Sequence, residues 1–163
     1  MSKFYRCLFA VSIIILQFSI LPRINLTLFE PDLLLVLTII FGFFHGIETG
    51  CLFGFISGLL MDVSTSILLG SNAFIFTQIG LSAALIRERF MIDNISIQSI
   101  LVGCCCLMAG LFKVVFQRFS AITEPMPSVV LTIITQAVVN AIISIPLIVM
   151  LTRLRWIPER RSD

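Results

Sequence analysis

Residues 125–152, PMPSVVLTIITQAVVNAIISIPLIVMLT, contain no Asp, Glu, Lys or Arg. About 20 predominantly apolar residues cross the ~30 Å hydrocarbon core of a bilayer, so an uncharged run of this length reads as a membrane helix. Working outward from it, residues 63–86 and 94–112 form two more charge-free runs of the same kind. The whole chain of 163 residues is 58% apolar and only 12% charged, against roughly 25% charged in a soluble domain. An ordinary water-soluble globule is thereby excluded.

The apolar pattern predicts an all-α fold, a polytopic transmembrane bundle of six helices in a single domain covering 1–163. The spans are expected at about 7–21, 32–44, 48–62, 71–86, 95–116 and 128–151. Lys3 and Arg6 precede the first run in the manner of a signal peptide, but no A-x-A-like site follows, so that run is expected to be an uncleaved helix. Pro31 and Asp32 suit the start of the second helix, since proline's missing N–H costs nothing there and a carboxylate favours the positive end of the helix dipole. Segments 32–44 and 48–62 are each short of a full span. They read as two short spans, one re-entrant hairpin or a single kinked helix.

Basic residues choose among these readings, because cytoplasmic segments beside spans are enriched in Lys and Arg. An even number of crossings places Lys3, Arg6, Arg87, Arg89, Arg153, Arg155, Arg160 and Arg161 on the cytoplasmic side. Arg23 and Arg118 fall outside, and Lys113 is expected to snorkel toward the outer headgroups. A single crossing by 32–62 would invert the rule. Both termini are therefore expected in the cytoplasm, with the tail 152–163 lying against anionic headgroups of the membrane lipid. The net charge of +2 and the scattering of basic residues give no nucleic-acid surface.

Two ladders stand out. Gly42, Gly46, Gly50, Gly54 and Gly58 recur at every fourth position and end on Asp62; small residues at this spacing let helix backbones approach closely in lipid. The ladder Gly50, Gly54, Gly58 is either an internal packing face or a contact for a partner helix. Thr132, Gln136, Asn140 and Ser144 form a polar stripe on one face of the last helix. Lipid is a poor environment for those amides, so the stripe belongs to an interhelical hydrogen-bond network or lines a ligand pocket, with Gln17 and Gln78 as candidate partners.

Catalytic chemistry finds little footing. His45 is the single histidine, which removes histidine-based zinc motifs. Cys104, Cys105 and Cys106 point about 100° apart on one helix and cannot converge on an ion. Five cysteines in apolar stretches read as packing residues. Glu48 and Asp62 are about 21 Å apart along a straight helix, too far for a hydrolytic pair. No P-loop, dinucleotide fingerprint or G-x-S-x-G occurs. No catalytic residue, metal ligand or cofactor is expected.

The order Leu21-Pro22-Arg23, Glu30-Pro31-Asp32-Leu33-Leu34-Leu35, Gly50-x-x-x-Gly54-Phe55-x-x-Gly58-Leu59-Leu60-x-Asp62 and Leu69-Gly70 resembles the bacterial rod shape-determining protein MreD family. The resemblance is densest over 16–86. It implies a non-enzymatic, multi-pass protein of the bacterial cytoplasmic membrane that belongs to the cell-elongation machinery. It also implies association with MreC, and through MreC with MreB filaments, RodA and a class B penicillin-binding transpeptidase that build lateral peptidoglycan. The family's bundle is similar to the S component of energy-coupling-factor transporters. On this reading Pro31, Asp32 and Asp62 shape an outer rim where a periplasmic partner docks. The alternative is a vitamin-type uptake S component, against which stands the lack of an A-x-x-x-A docking motif in 7–21, where Ala10 is the sole alanine.

Overall fold

Asp32 caps the start of the helix that the sequence places second, with Pro31 just ahead of it. The Asp32 carboxylate accepts a hydrogen bond from the Leu35 backbone N–H at 3.1 Å, satisfying one of the donors that every helix start leaves without an intrahelical partner. The computed structural model describes residues 17–18, 31–64, 69–90, 94–119 and 126–153. Among them are five helices and no strand: α1 (Leu33–His45), α2 (Ile47–Ser64), α3 (Ser71–Arg89), α4 (Ile95–Phe119) and α5 (Met126–Arg153). The all-α expectation holds. Of the first expected helix, 7–21, only Gln17 and Phe18 are described, so the sixth helix lies outside the described residues. So do Lys3, Arg6, Arg23 and the tail from 154 onward.

α1 is 13 residues long, about 20 Å. Ten of its residues are buried, on every side of the helix. A helix that is apolar all round belongs in an interior, and here α2, α3, α4 and α5 all contact it. One residue, Gly46, separates α1 from α2, and its φ of +89° is a left-handed geometry that only glycine adopts cheaply. There the chain reverses. Phe41 then stacks on Phe53 with ring centroids 4.6 Å apart, and Thr38 Oγ1 lies 2.9 Å from Ser57 Oγ, pairings that only an antiparallel hairpin allows. The single kinked helix is excluded.

α2 is longer than the expected 48–62, because Asp62 does not end it. A carboxylate normally seeks water, but that of Asp62 turns to the backbone of the next helix, and the apolar turn continues to Ser64. Among the described residues three helical stretches, Ile47–Ser64, Ile95–Arg118 and Ser128–Arg153, are long and apolar enough to cross a membrane. α5 runs unbroken through Pro146, although that residue offers no N–H to the preceding turn.

α3 packs antiparallel to α2 and runs in the same direction as α1. α5 packs antiparallel to α4, with Asn140 beside Cys106 and Gly110 beside Ile133. The core is formed by α1 with Ile75, Phe76 and Ile79 of α3, Val102 and Cys105 of α4, and Ile148 and Leu151 of α5. Arg87, in the last turn of α3, lies over the Phe43 and Phe44 rings at 4.8 and 5.3 Å and reaches the Phe43 carbonyl. A cation at that point also suits the negative end of α1.

Candidate functional site

The glycine ladder of α2 faces α3 along its whole length. A Cβ at Gly54 would stand 2.5 Å from the Phe76 carbonyl oxygen, and one at Gly58 would stand 2.5 Å from the Asn72 carbonyl oxygen. At Gly50 a Cβ would meet Gly42 Cα at 2.6 Å and the Gly80 oxygen at 2.9 Å, so α1, α2 and α3 cross at three glycines. The obstacles are backbone atoms, which cannot rotate away. Close approach of this kind gains dispersion and Cα–H···O contacts that lipid does not offer.

Asp62 closes the end of this α2–α3 pair. Only 3% exposed, it accepts hydrogen bonds from the backbone N–H groups of Gly70 (3.0 Å), Asn72 (2.9 Å) and Ala73 (3.0 Å). These are donors of the first turn of α3, which have no partner inside their own helix. Gly70 can present its N–H because it adopts φ +97°.

A second polar cluster lies at the same end of the bundle. Asp32 is 1% exposed, and its Oδ2 pairs with Lys113 Nζ at 3.3 Å. Its backbone N–H donates to Asn140 Oδ1 at 3.0 Å, and Asn140 Nδ2 donates to Cys106 Sγ at 3.5 Å. Gln17 Oε1 accepts from the Leu33 N–H at 3.0 Å, while its Nε2 donates to the Pro31 carbonyl. The first turn of α1 is thus held by side chains from α4, α5 and the segment containing Gln17.

This corrects the snorkelling expected of Lys113. A nearly inaccessible carboxylate requires a counter-charge nearby, and Lys113 supplies it across the bundle. The signal was present in the sequence as one cation inside a long apolar run and one anion at a helix start, but nothing in their spacing, 81 positions apart, indicates that they meet. The polar stripe divides. Asn140 is fully buried in the cluster, and Gln136 lines a cavity beside it. Thr132 and Ser144 bond back to carbonyls of their own helix, at Ser128 and Ala141, as hydroxyls in helices commonly do. Gln17 serves α1 and makes no bond to the stripe; the expected pairing of the stripe with Gln78 is not formed.

The cavity, about 300 Å³, opens between the starts of α1 and α3 and the facing parts of α4 and α5, with Lys113, Gln117 and Gln136 on its wall. His45 and Glu48 are exposed at the other end of the bundle, with the His45 ring 5.2 Å from that of Phe41. Cys104 is exposed, and Cys105 and Cys106 are buried, all three as free thiols. Among the described residues no three His, Cys, Asp or Glu side chains gather as a metal site.

A family model, that of rod shape-determining protein MreD, matches residues 2–155. The chain belongs to the MreD family. MreD proteins are shape-determining structural proteins rather than a known enzyme family, and this member's apolar helices, taken with its family, make it an inner-membrane protein. No curated protein and no solved structure matches the chain. Several of the described residues that carry the MreD resemblance hold the helices together here. Pro31 and Asp32 start and anchor α1, Gly50, Gly54 and Gly58 lie against α3, and Asp62 with Gly70 joins α2 to α3.

Proposed function

We propose that this MreD-family protein is a non-enzymatic scaffold of the cell-elongation machinery. In this reading it binds MreC and, through MreC, helps position MreB, RodA and a class B transpeptidase for lateral wall synthesis. The observation that carries the reading is the family match over residues 2–155. The use of the polar side chains supports it: Asp32, Lys113, Asn140 and Asp62 each bond to another helix or to its first turn. A bundle tied in this way is a rigid platform.

Gly50, Gly54 and Gly58 set α2 against α3, and Pro31, Asp32 and Asp62 give the end of the bundle a defined shape for the periplasmic part of MreC. The chain is a single integral membrane domain over 1–163 that crosses the membrane several times, with both termini in the cytoplasm. Arg87, Arg89 and Arg153 at the ends of α3 and α5 are on the cytoplasmic side in that topology. Affinity purification from native membranes tests the scaffold: MreC and wall synthases are expected with it, whereas an ATPase transport module would overturn it. Reporter fusions at Glu48 and after Asp163 test the topology, and a periplasmic C-terminus would refute it.

A further inference from the structure

The 300 Å³ cavity has on its wall polar groups that are not consumed by holding helices together. Gln117 and Gln136 are half-buried on its wall, and among the described residues neither carboxamide has a hydrogen-bond partner. Lys113 Nζ has three protons to donate and one hydrogen bond among the described residues, to Asp32; its side chain is 30% exposed. Met61, Ile75 and Phe116 supply an apolar wall. Convergent polar groups on an apolar concavity of this size are the usual makings of a small-ligand site, and the two carboxamides can each donate to and accept from a ligand there.

The charges decide what kind of ligand suits it. Among the described residues the single cation on the wall is already matched by Asp32, and no other ionisable side chain lines the cavity. A guest with net charge would give up its hydration and meet no uncompensated counter-charge. Carboxamides both donate and accept, and the remaining ammonium protons only donate, so the guest needs several acceptors and at least one donor. The volume holds about ten waters at ~30 Å³ each, which is the scale of one sugar ring. We propose that the cavity binds a neutral, hydroxyl- and amide-bearing group the size of a single sugar ring. This goes beyond the scaffold reading and does not depend on it.

The group has two sources of the same chemistry, a free solute or the headgroup of a glycolipid, and the test separates them. The full chain in phosphatidylcholine nanodiscs is titrated calorimetrically with free N-acetylglucosamine. A parallel sample, with monoglucosyl diacylglycerol added to the nanodiscs, is followed by its melting temperature. Saturable heat identifies a solute site, and a melting rise with the glycolipid alone identifies a headgroup site; either supports the proposal. Gln136→Leu and Gln117→Leu, which remove no bond from the described fold, should each weaken the response about tenfold, as the loss of a hydrogen bond or two of ordinary strength does. The proposal is overturned by no response to either probe, by inorganic phosphate binding as tightly as the sugar, or by both variants responding like the parent.

Discussion

Replacing Asp62 should reveal how far this bundle depends on one carboxylate. Its two oxygens accept three backbone N–H bonds of 2.9 to 3.0 Å from the first turn of α3. A hydrogen bond to a charged group contributes about 1.5–3 kcal/mol net, and three that share one acceptor group add less than their sum. Asp62→Ala leaves the Ala73 N–H buried without an acceptor and should lower stability by about 3–5 kcal/mol. Asp62→Asn keeps one acceptor oxygen but turns an NH₂ toward a donor and removes the charge, so about 2–3 kcal/mol should be lost. At about 2–4 °C per kcal/mol for a chain of this size, the alanine variant should melt roughly 6–20 °C lower and the asparagine variant about half as far. Circular-dichroism melts in detergent measure both. If Asp62→Asn melted with the parent, the anchoring of α3 by this carboxylate would be wrong.

Further substitutions probe the other contacts. Gly54→Leu drives a side chain into the Phe76 carbonyl and should cost about 3 kcal/mol or more and abolish co-purification of MreC; retained melting temperature and retained complex would refute the close packing of α2 on α3. Gly103→Ala is the control, because a Cβ there meets the Ala141 Cβ at 3.4 Å and the Ala137 carbonyl oxygen at 3.7 Å, ordinary van der Waals contacts; the better helix propensity should leave stability unchanged or raise it by up to about 1 kcal/mol, and a large loss in the same melt would contradict the packing described for α4 and α5. Lys113→Met strands the Asp32 carboxylate and should cost about 3–5 kcal/mol, while adding Asp32→Asn should recover part of the loss. A double-mutant cycle showing no coupling would mean that the two charges do not pair. Gly46→Ala forces an L-residue into φ +89°, ψ −173°, a region open essentially to glycine alone, at a cost of about 1–3 kcal/mol; a chemical-denaturation midpoint identical to the parent's would argue against this turn.

The legible parts of this protein are those that depend on local chemistry. Uncharged runs are helical because a backbone in lipid must satisfy its own hydrogen bonds, and Pro31 and Asp32 act within one helical turn. Neighbouring elements were harder to read. Asp62 near the end of α2 is visible in the sequence, but its role is not, because the carboxylate's partners lie 8 to 11 residues further on, where no helical periodicity applies. The stripe on α5 was visible as a stripe, yet its four members have three different fates, since a hydroxyl can satisfy itself on its own helix and an amide cannot. Asp32, Lys113, Asn140 and Cys106 come from three helices, and no pairwise spacing in the chain encodes their meeting.

By itself the sequence determined the solvent of this protein, its helical class and, through the order of Pro31-Asp32, the glycines, Asp62 and Leu69-Gly70, its family. Each of these follows from residue type and short spacing, on which hydrophobicity and helix geometry act directly. Tertiary structure alone decided which helix the glycines face, that Lys113 turns inward to a buried carboxylate, and that Gln117 and Gln136 border an open cavity. Those outcomes depend on which backbones approach within van der Waals distance and on where a buried charge finds its opposite, and both are properties of the folded bundle as a whole.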